Sequence, residues 1–383
     1  MCKSTLLISL LFVICSSYET HAQGCVAIRG MSSCGSTLGG NVDLMKGEFL
    51  SQAGFRYFKS FRHFRGTTEE KYRIEEGTQV INHSYFLDLS LNYGITDRLY
   101  ANLIIPLVYH TRSSMYEHGG NPPNGLGERH ETSSHGLGDI RLGLGYWLFN
   151  PDKKHLFNYA VGVGLKLPTG KYNYSDTFYN QGSEHNETVE AVVDQSIQPG
   201  DGGVGFSIET QGFHAISHSF VIISNFYYLF NVQETNGVLT RNGRSEFSCP
   251  DQYGLRVGSF YNFGTSGISA YIGGRFEGVP SNDLIGGSAG YRRPGYVISI
   301  EPGLSYTKNN LSVNLTVPIA VERNRTQSYE DQQRTKETGE YRHGDAAFAD
   351  FLMNFSVLYR FDGKNRNSKS VFPQEINLID QVQ

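Results

Sequence analysis

The feature that most constrains this chain is an alternation of apolar and polar residues with a period of two, repeated along most of its length. Residues 85–93, YFLDLSLNY, put Tyr85, Leu87, Leu89, Leu91 and Tyr93 on one face of an extended strand and Asp88, Ser90 and Asn92 on the other. Ile140, Leu142, Leu144, Tyr146 and Leu148 oppose Asp139, Arg141, Gly143 and Gly145 in the same way. Phe157, Tyr159, Val161, Val163, Leu165 and Leu167 oppose Asn158, Ala160, Gly162, Gly164 and Lys166. The pattern returns at 268–277, at 298–306, at 311–322, where Glu322 falls with the polar set, and at 350–361. One such segment fits a half-buried strand of a soluble sandwich equally well. The argument therefore rests on the repetition and on what joins the segments.

Strands are expected at about 47–62, 82–94, 98–110, 136–149, 155–168, 202–215, 219–232, 251–263, 267–278, 294–307, 310–323 and 347–361. That makes about twelve, an even number, each long enough to cross a bilayer when tilted. The 219–232 segment has ambiguous facing, because both of its parities are partly apolar. The connections are sorted by length. Residues 95–97, 150–154, 216–218, 264–266 and 308–309 read as tight turns, whereas 111–135, 169–201, 233–250, 279–293 and 324–346 are long and polar. A soluble sandwich has no reason to sort its loops this way. An outer-membrane barrel has short periplasmic turns and long extracellular loops. The expected fold is therefore all-β, a transmembrane antiparallel barrel over 47–361 with both ends on the periplasmic side.

Composition agrees. Of the 383 residues 44 are Gly, 24 Tyr and 24 Phe, while hydrophobic residues total only 39%. That is too little for a bundle of spanning helices, and it suits strands with one lipid-facing residue in two. The net charge of −4 implies no nucleic-acid partner.

Residues 1–23 combine Lys3, an apolar stretch from Leu6 to Ile14 and the small-residue region Thr20-His21-Ala22, which reads as a secretory signal peptide cleaved after Ala22 or Gln23. A lipoprotein would need Cys25 at the new N-terminus, and Ala22-Gln23-Gly24 matches a lipidation box poorly. Export leaves Cys25, Cys34 and Cys249; the close spacing of Cys25 and Cys34 in an oxidising compartment makes them a candidate disulfide, with Cys249 the odd one out. Residues 24–46 form a leader, periplasmic or inserted in the lumen, and 362–383 a polar tail. The last strand, MNFSVLYRF, ends in Phe361 with Tyr359 two positions earlier, resembling the carboxy-terminal signal read by the barrel-assembly machinery. Outer-membrane lipid is the other partner that a barrel implies.

Four segments carry a more specific resemblance: YGITDRL at 93–99 with Pro106 after it, GLGDIRLGL at 136–144, KLPTG at 166–170 and QPGDGGVGFSIE at 198–209. In this order they resemble the outer-membrane barrel family named for the meta-cleavage pathway of phenol degradation, closely over about 85–215 and by pattern elsewhere. The resemblance implies uptake of hydrophobic or aromatic compounds across the outer membrane. The same residues also have structural reasons to be there. Gly94 and Asp97 serve a tight turn, and Gly136, Gly138, Gly143 and Gly145 leave room on the lumenal face.

The polar faces supply the candidate lumen-lining residues: Asp88, Asp139, Arg141, Lys166, Glu209, Arg256, Arg275, Glu277, Glu301, Asp350 and Arg360. Their mixed signs suggest ion pairs between neighbouring strands rather than a strongly ion-selective pore. Tyr100, Trp147, Phe260 and Tyr271 on or near that face could stack an aromatic solute or simply fill space. Other chemistry is poorly supported. GLKLPTGK at 164–171 has one residue too many for a phosphate loop and no following helix, and HETSSH at 130–135 is one residue too long for a zinc protease motif. His110, His118, His130 and His135 read as solvated loop residues more readily than as a metal site. No cofactor is implied. A lipid-modifying barrel enzyme would need a Ser and a His together near the outer leaflet, and His214 with Ser217 and Ser219 falls at the periplasmic end. The reading is a non-enzymatic channel or transporter for small solutes, with the enzyme and a structural, surface-binding barrel as alternatives.

Overall fold

In the computed structural model, which describes residues 44–150 and 156–361, one antiparallel sheet of fifteen strands closes on itself. A two-residue strand is only a hook, and two staves are each broken in two, so the wall has twelve staves. They are β1 (Phe49–Arg65), β2 (Ile81–Gly94), β3 (Leu99–Ser114), β4 (His130–Leu137 and Arg141–Trp147), β5 (Phe157–Lys166) and β6 (Gly205–Ala215). The second half comprises β7 (Phe220–Asn231), β8 (Gln252–Asn262), β9 (Ile268–Val279), β10 (Gly295–Lys308), β11 (Leu311–Thr316 and Ile319–Asn324) and β12 (Ala346–Phe361). Each stave pairs with its sequence neighbour, and β12 returns to β1 from Phe49↔Phe361 to Phe64↔Ala346. Closure removes the unpaired edges that a lipid environment could not satisfy. Among the described residues no helix is long and apolar enough to cross a membrane; the strands cross instead.

Alternation sets the two faces. Along β2, Leu87, Leu89, Leu91 and Tyr93 are exposed, whereas Ser90 and Asn92 are buried. The same sorting resolves β7: Ile222 and Phe226 face out, while Val221, Tyr227 and Leu229 are buried inside.

Three departures from the expected boundaries have local causes. Staves β3 and β4 run on together above the apolar belt, pairing from Leu107↔Leu137 to Ser114↔His130. Those polar residues keep the ladder after the apolar alternation has ended. Stave β4 then breaks at 138–140. Stave β11 breaks at Val317-Pro318, where proline offers no N–H to the ladder. A register shift between Ile298 and Ser299 changes the parity of β11, so Glu322 is exposed rather than lumenal and accepts a hydrogen bond from the Tyr296 hydroxyl at 2.7 Å. The long connections also carry structure of their own: α1 (Tyr72–Glu75), hairpins at Ser175–Gln181 with Glu187–Val192 and at Thr235–Leu239 with Glu246–Ser248, and α2 (Tyr329–Thr338), which begins with a capping box of Ser328 and Asp331. The signal peptide, the tail and the Cys25–Cys34 pair lie outside the described residues, as does the leader before Leu44.

Candidate functional site

The candidate site is the lumen. Inward residues sit in rungs across neighbouring staves, and glycines make floors for the larger rings. A Cβ on Gly145 would lie 2.1 Å from the Tyr100 ring, and one on Gly273 would lie 2.2 Å from the Tyr271 hydroxyl. Tyr100 packs with Trp147 and Ala160, and Phe260 with Tyr271 at 4.8 Å between ring centres. Further toward the extracellular side Phe58, Phe86, Val108, Ala349 and Leu352 form an apolar cluster. The four aromatics singled out in the sequence thus lie inside the barrel, packed on one another or on small residues.

Charged residues occupy the level between. Arg256 on β8 makes two 2.7 Å hydrogen bonds to Glu301 on β10, which also accepts from Thr316 at 2.8 Å. Arg275 bonds Glu277 at 2.7 Å, two residues along the same stave, and lies 3.9 Å from Glu301. Arg56 stacks on Phe86, 4.1 Å from the ring centre, and its field reaches Asp88, Arg141, Arg275 and Glu277. That set spans facing walls, so the charges meet across the lumen. Glu209 accepts from Ser207 at 2.7 Å. Arg360 lies apart, at the periplasmic mouth, bonded to Glu48 at 3.0 Å. Asp350 is at the extracellular rim, 3.2 Å from Arg62 and one-third exposed.

The segments behind the family resemblance converge where β4 breaks. Asp139 accepts the Gly170 N–H at 3.0 Å and the Asp201 N–H at 3.1 Å, while Thr169 donates to the Gly138 carbonyl at 2.9 Å. Asp201 in turn pairs with Lys166. A Cβ at Gly200 would sit 2.6 Å from both Asp139 and the Gly170 carbonyl, so the three strands of chain fit together only with glycine there. Asp139 is therefore a tie across the break, not a free lumenal carboxylate. The YGITDRL turn has a matching task at the periplasmic end. The Lys46 N–H bonds Asp97 at 3.2 Å, and a Cβ on Gly94 would lie 2.0 Å from the Met45 carbonyl.

Packed segments lie at both ends of the lumen. At the extracellular side the 167–204 loop folds inward, and Val193, Ile197 and Gln198 are buried. Asp194 anchors it, bonded to Arg293 at 2.8 and 2.7 Å and 3.6 Å from Arg112, which also holds Glu117 at 3.0 Å. Burial alone would raise the Asp194 carboxyl, but the Arg112 and Arg293 guanidiniums outweigh it and hold it far below the usual carboxylate range. At the periplasmic side Leu44 is buried against Leu50 and Leu358. Between them, the gaps beside Arg141 and Lys166 offer room on the scale of one water molecule. The anchors Arg112, Glu117, Asp194 and Arg293 went unrecognised in the sequence, because they lie in or beside segments with no alternation.

The other candidates are accounted for locally. Cys249 is buried and is free among the described residues, its thiol 3.3 Å from the Asp201 carbonyl and pushed up to about 12 by burial, which leaves it unreactive. His118 and His130 lie 5.3 Å apart between ring centres, and burial pushes His118 down to about 4. Among the described residues no three His, Cys, Asp or Glu side chains are placed to hold a metal ion.

A closed antiparallel barrel of twelve staves, apolar outside and polar within, with short turns at one end and long loops at the other, is the outer-membrane class of β-barrel. The family model described as "Putative MetA-pathway of phenol degradation" matches residues 66–334, and the chain belongs to that family. Among solved structures it is similar to an outer membrane channel from Pseudomonas putida F1, at 12% identity and a TM-score of 0.57, covering 85% of this chain and 100% of that one. That likeness shows the shared fold. The toluene transporter TodX of P. putida aligns at 9% identity with a TM-score of 0.40, over 91% of this chain and 100% of that one. The CymD monoaromatic hydrocarbon channel aligns at 10% and 0.41, over 91% and 100%. No curated protein matches the chain.

Proposed function

We propose that this protein is a gated outer-membrane channel for small hydrophobic or aromatic solutes. The carrying observation is the make-up of the lumen: apolar and aromatic clusters interleaved with charges that are paired to one another. Paired charges present little net field to a passing ion, whereas an open ion-selective pore needs rings of one sign. The water-scale gaps beside Arg141 and Lys166 support a passage that opens only when a closure yields. The family's phenol-degradation context agrees with this reading. The enzymatic alternative has less support. His110 is buried against Phe86, and the Ser217 hydroxyl accepts backbone N–H groups of its own turn. At the end of β12, exposed Tyr359 and Phe361 fit recognition by the assembly machinery.

Uptake tests the reading. Vesicles containing the purified protein should take up toluene or phenol faster than empty vesicles, while single-channel conductance stays low. Unchanged uptake of both solutes would sink the proposal and leave the barrel intact.

A further inference from the structure

The wall is not equally tall all round. Staves β1, β2 and β3 have 17, 14 and 16 residues, whereas β6, β7 and β8 have only 11, 12 and 11. On the short side the apolar outer face does not stop at the strand ends. Phe206 and Phe230 stack at 4.8 Å, and beyond them Val204 and Val232 continue the outward register, joined by a 3.3 Å backbone hydrogen bond. Immediately next to Val232 lies the 280–294 loop, which presents Leu284 and Ile285 at 69% and 46% exposure.

This loop is firmly held. Asp283 and Arg292 form a buried two-bonded ion pair at 2.7 and 2.6 Å. The Leu284 N–H bonds Asp251 at 3.0 Å, and the same carboxylate takes the hydroxyl of outward-facing Tyr228 at 2.9 Å. Gly286 and Gly287 have φ of +93° and +94°, and a Cβ on Gly286 would lie 2.6 Å from the Asn231 carbonyl. The backbone is thus pressed onto the end of β7, and two large apolar side chains are fixed in the open beside the lipid-facing belt. Water is a poor neighbour for such a surface, and a continuous apolar belt next to it supplies a better one.

We propose that the 280–294 loop dips into the outer leaflet, with Leu284 and Ile285 among the acyl chains, and so restores the height of the belt where the staves are short. The partner is lipid hydrocarbon, reached by continuity with the established lipid-facing wall.

Tryptophan fluorescence in vesicles tests this, with buried Trp147 as a constant background. Leu284→Trp would be compared with Phe230→Trp in the belt and Tyr341→Trp in an exposed loop, each checked for folding by its heat-dependent shift on gels. The vesicles would hold phosphatidylcholine brominated either near the headgroup or near the chain end. Leu284→Trp should lose emission to the shallow bromine, as Phe230→Trp does to bromolipid, and should resist aqueous acrylamide. Quenching by acrylamide with no bromine effect, as expected of Tyr341→Trp, would overturn the proposal. Protection from both quenchers would also overturn it, because a protein surface would then cover the loop.

Discussion

The two ends of the lumen are held by different physics. The extracellular closure is a loop pinned by charges: Asp194 between Arg112 and Arg293, with Glu117 on the other side of Arg112. The periplasmic end joins apolar contact, Leu44 on Leu50 and Leu358, to a single ion pair, Arg360 with Glu48. A buried ion pair is costly to break from one side, because the abandoned charge stays buried. An apolar plug loses only its contacts. The first is therefore a stiff latch built on charge, whereas the Leu44 contact in the second is a soft stop indifferent to pH.

The largest expected effect comes from Arg112→Ala, which leaves Glu117 and Asp194 without their shared cation. It should cost about 3–5 kcal/mol, read as a lower temperature for loss of the folded gel band, and should raise vesicle conductance as the loop is released. A closed, equally stable variant would break the distinction between latch and stop. Next, Leu44→Ala should cost about 2 kcal/mol and loosen the periplasmic mouth, with an effect unchanged by pH; a pH-dependent effect would contradict an apolar stop. Within the wall, Glu301→Gln should cost about 1–3 kcal/mol through the weakened Arg256 contact, yet leave conductance unchanged, since neither closure is touched. An opened channel would move the gate from the loops to the wall.

A pH series separates the closures further. His118 is held at about 4 against its usual 6.5, so it favours the folded loops above pH 6.5 and that support is lost as pH falls from 6.5 toward 4. Asp194, held below its usual range, keeps its contribution through that window and loses it only as pH falls below the ordinary carboxylate range. Protease cleavage of the extracellular loops should accordingly rise in two stages on acidification. A profile flat from pH 7 to about pH 4 would refute the His118 stage, and no second rise below the ordinary carboxylate range would refute the charge latch. The smallest effect is expected of Glu322→Gln, an exposed residue whose change should stay within about 0.5 kcal/mol by thermal melting; a larger loss would place it in the lumen after all.

Much of this architecture is legible without coordinates. Twelve alternating segments joined by short and long connections in turn leave few folds other than a closed barrel, and the ordered glycine-rich motifs point to one family. The motifs' purpose is not legible in the same way. Nothing in GLGDIRLGL, KLPTG and QPGDGG says that Asp139 would bond the Gly170 and Asp201 amides, because those contacts join residues 31 and 62 positions apart. Glu322 shows the opposite failure. Its parity in the sequence is plain, and a bulge at Val321 in its own stave reverses it.

The sequence by itself determined the faces of most staves, their number and which ends carry long loops, because alternation with period two is a local property and lipid rewards it strand by strand. Only the tertiary structure decided where the wall breaks, which loop folds inward and which charges find one another. Those outcomes depend on register between partners far apart in the chain, and a single strand does not encode the register of its neighbour.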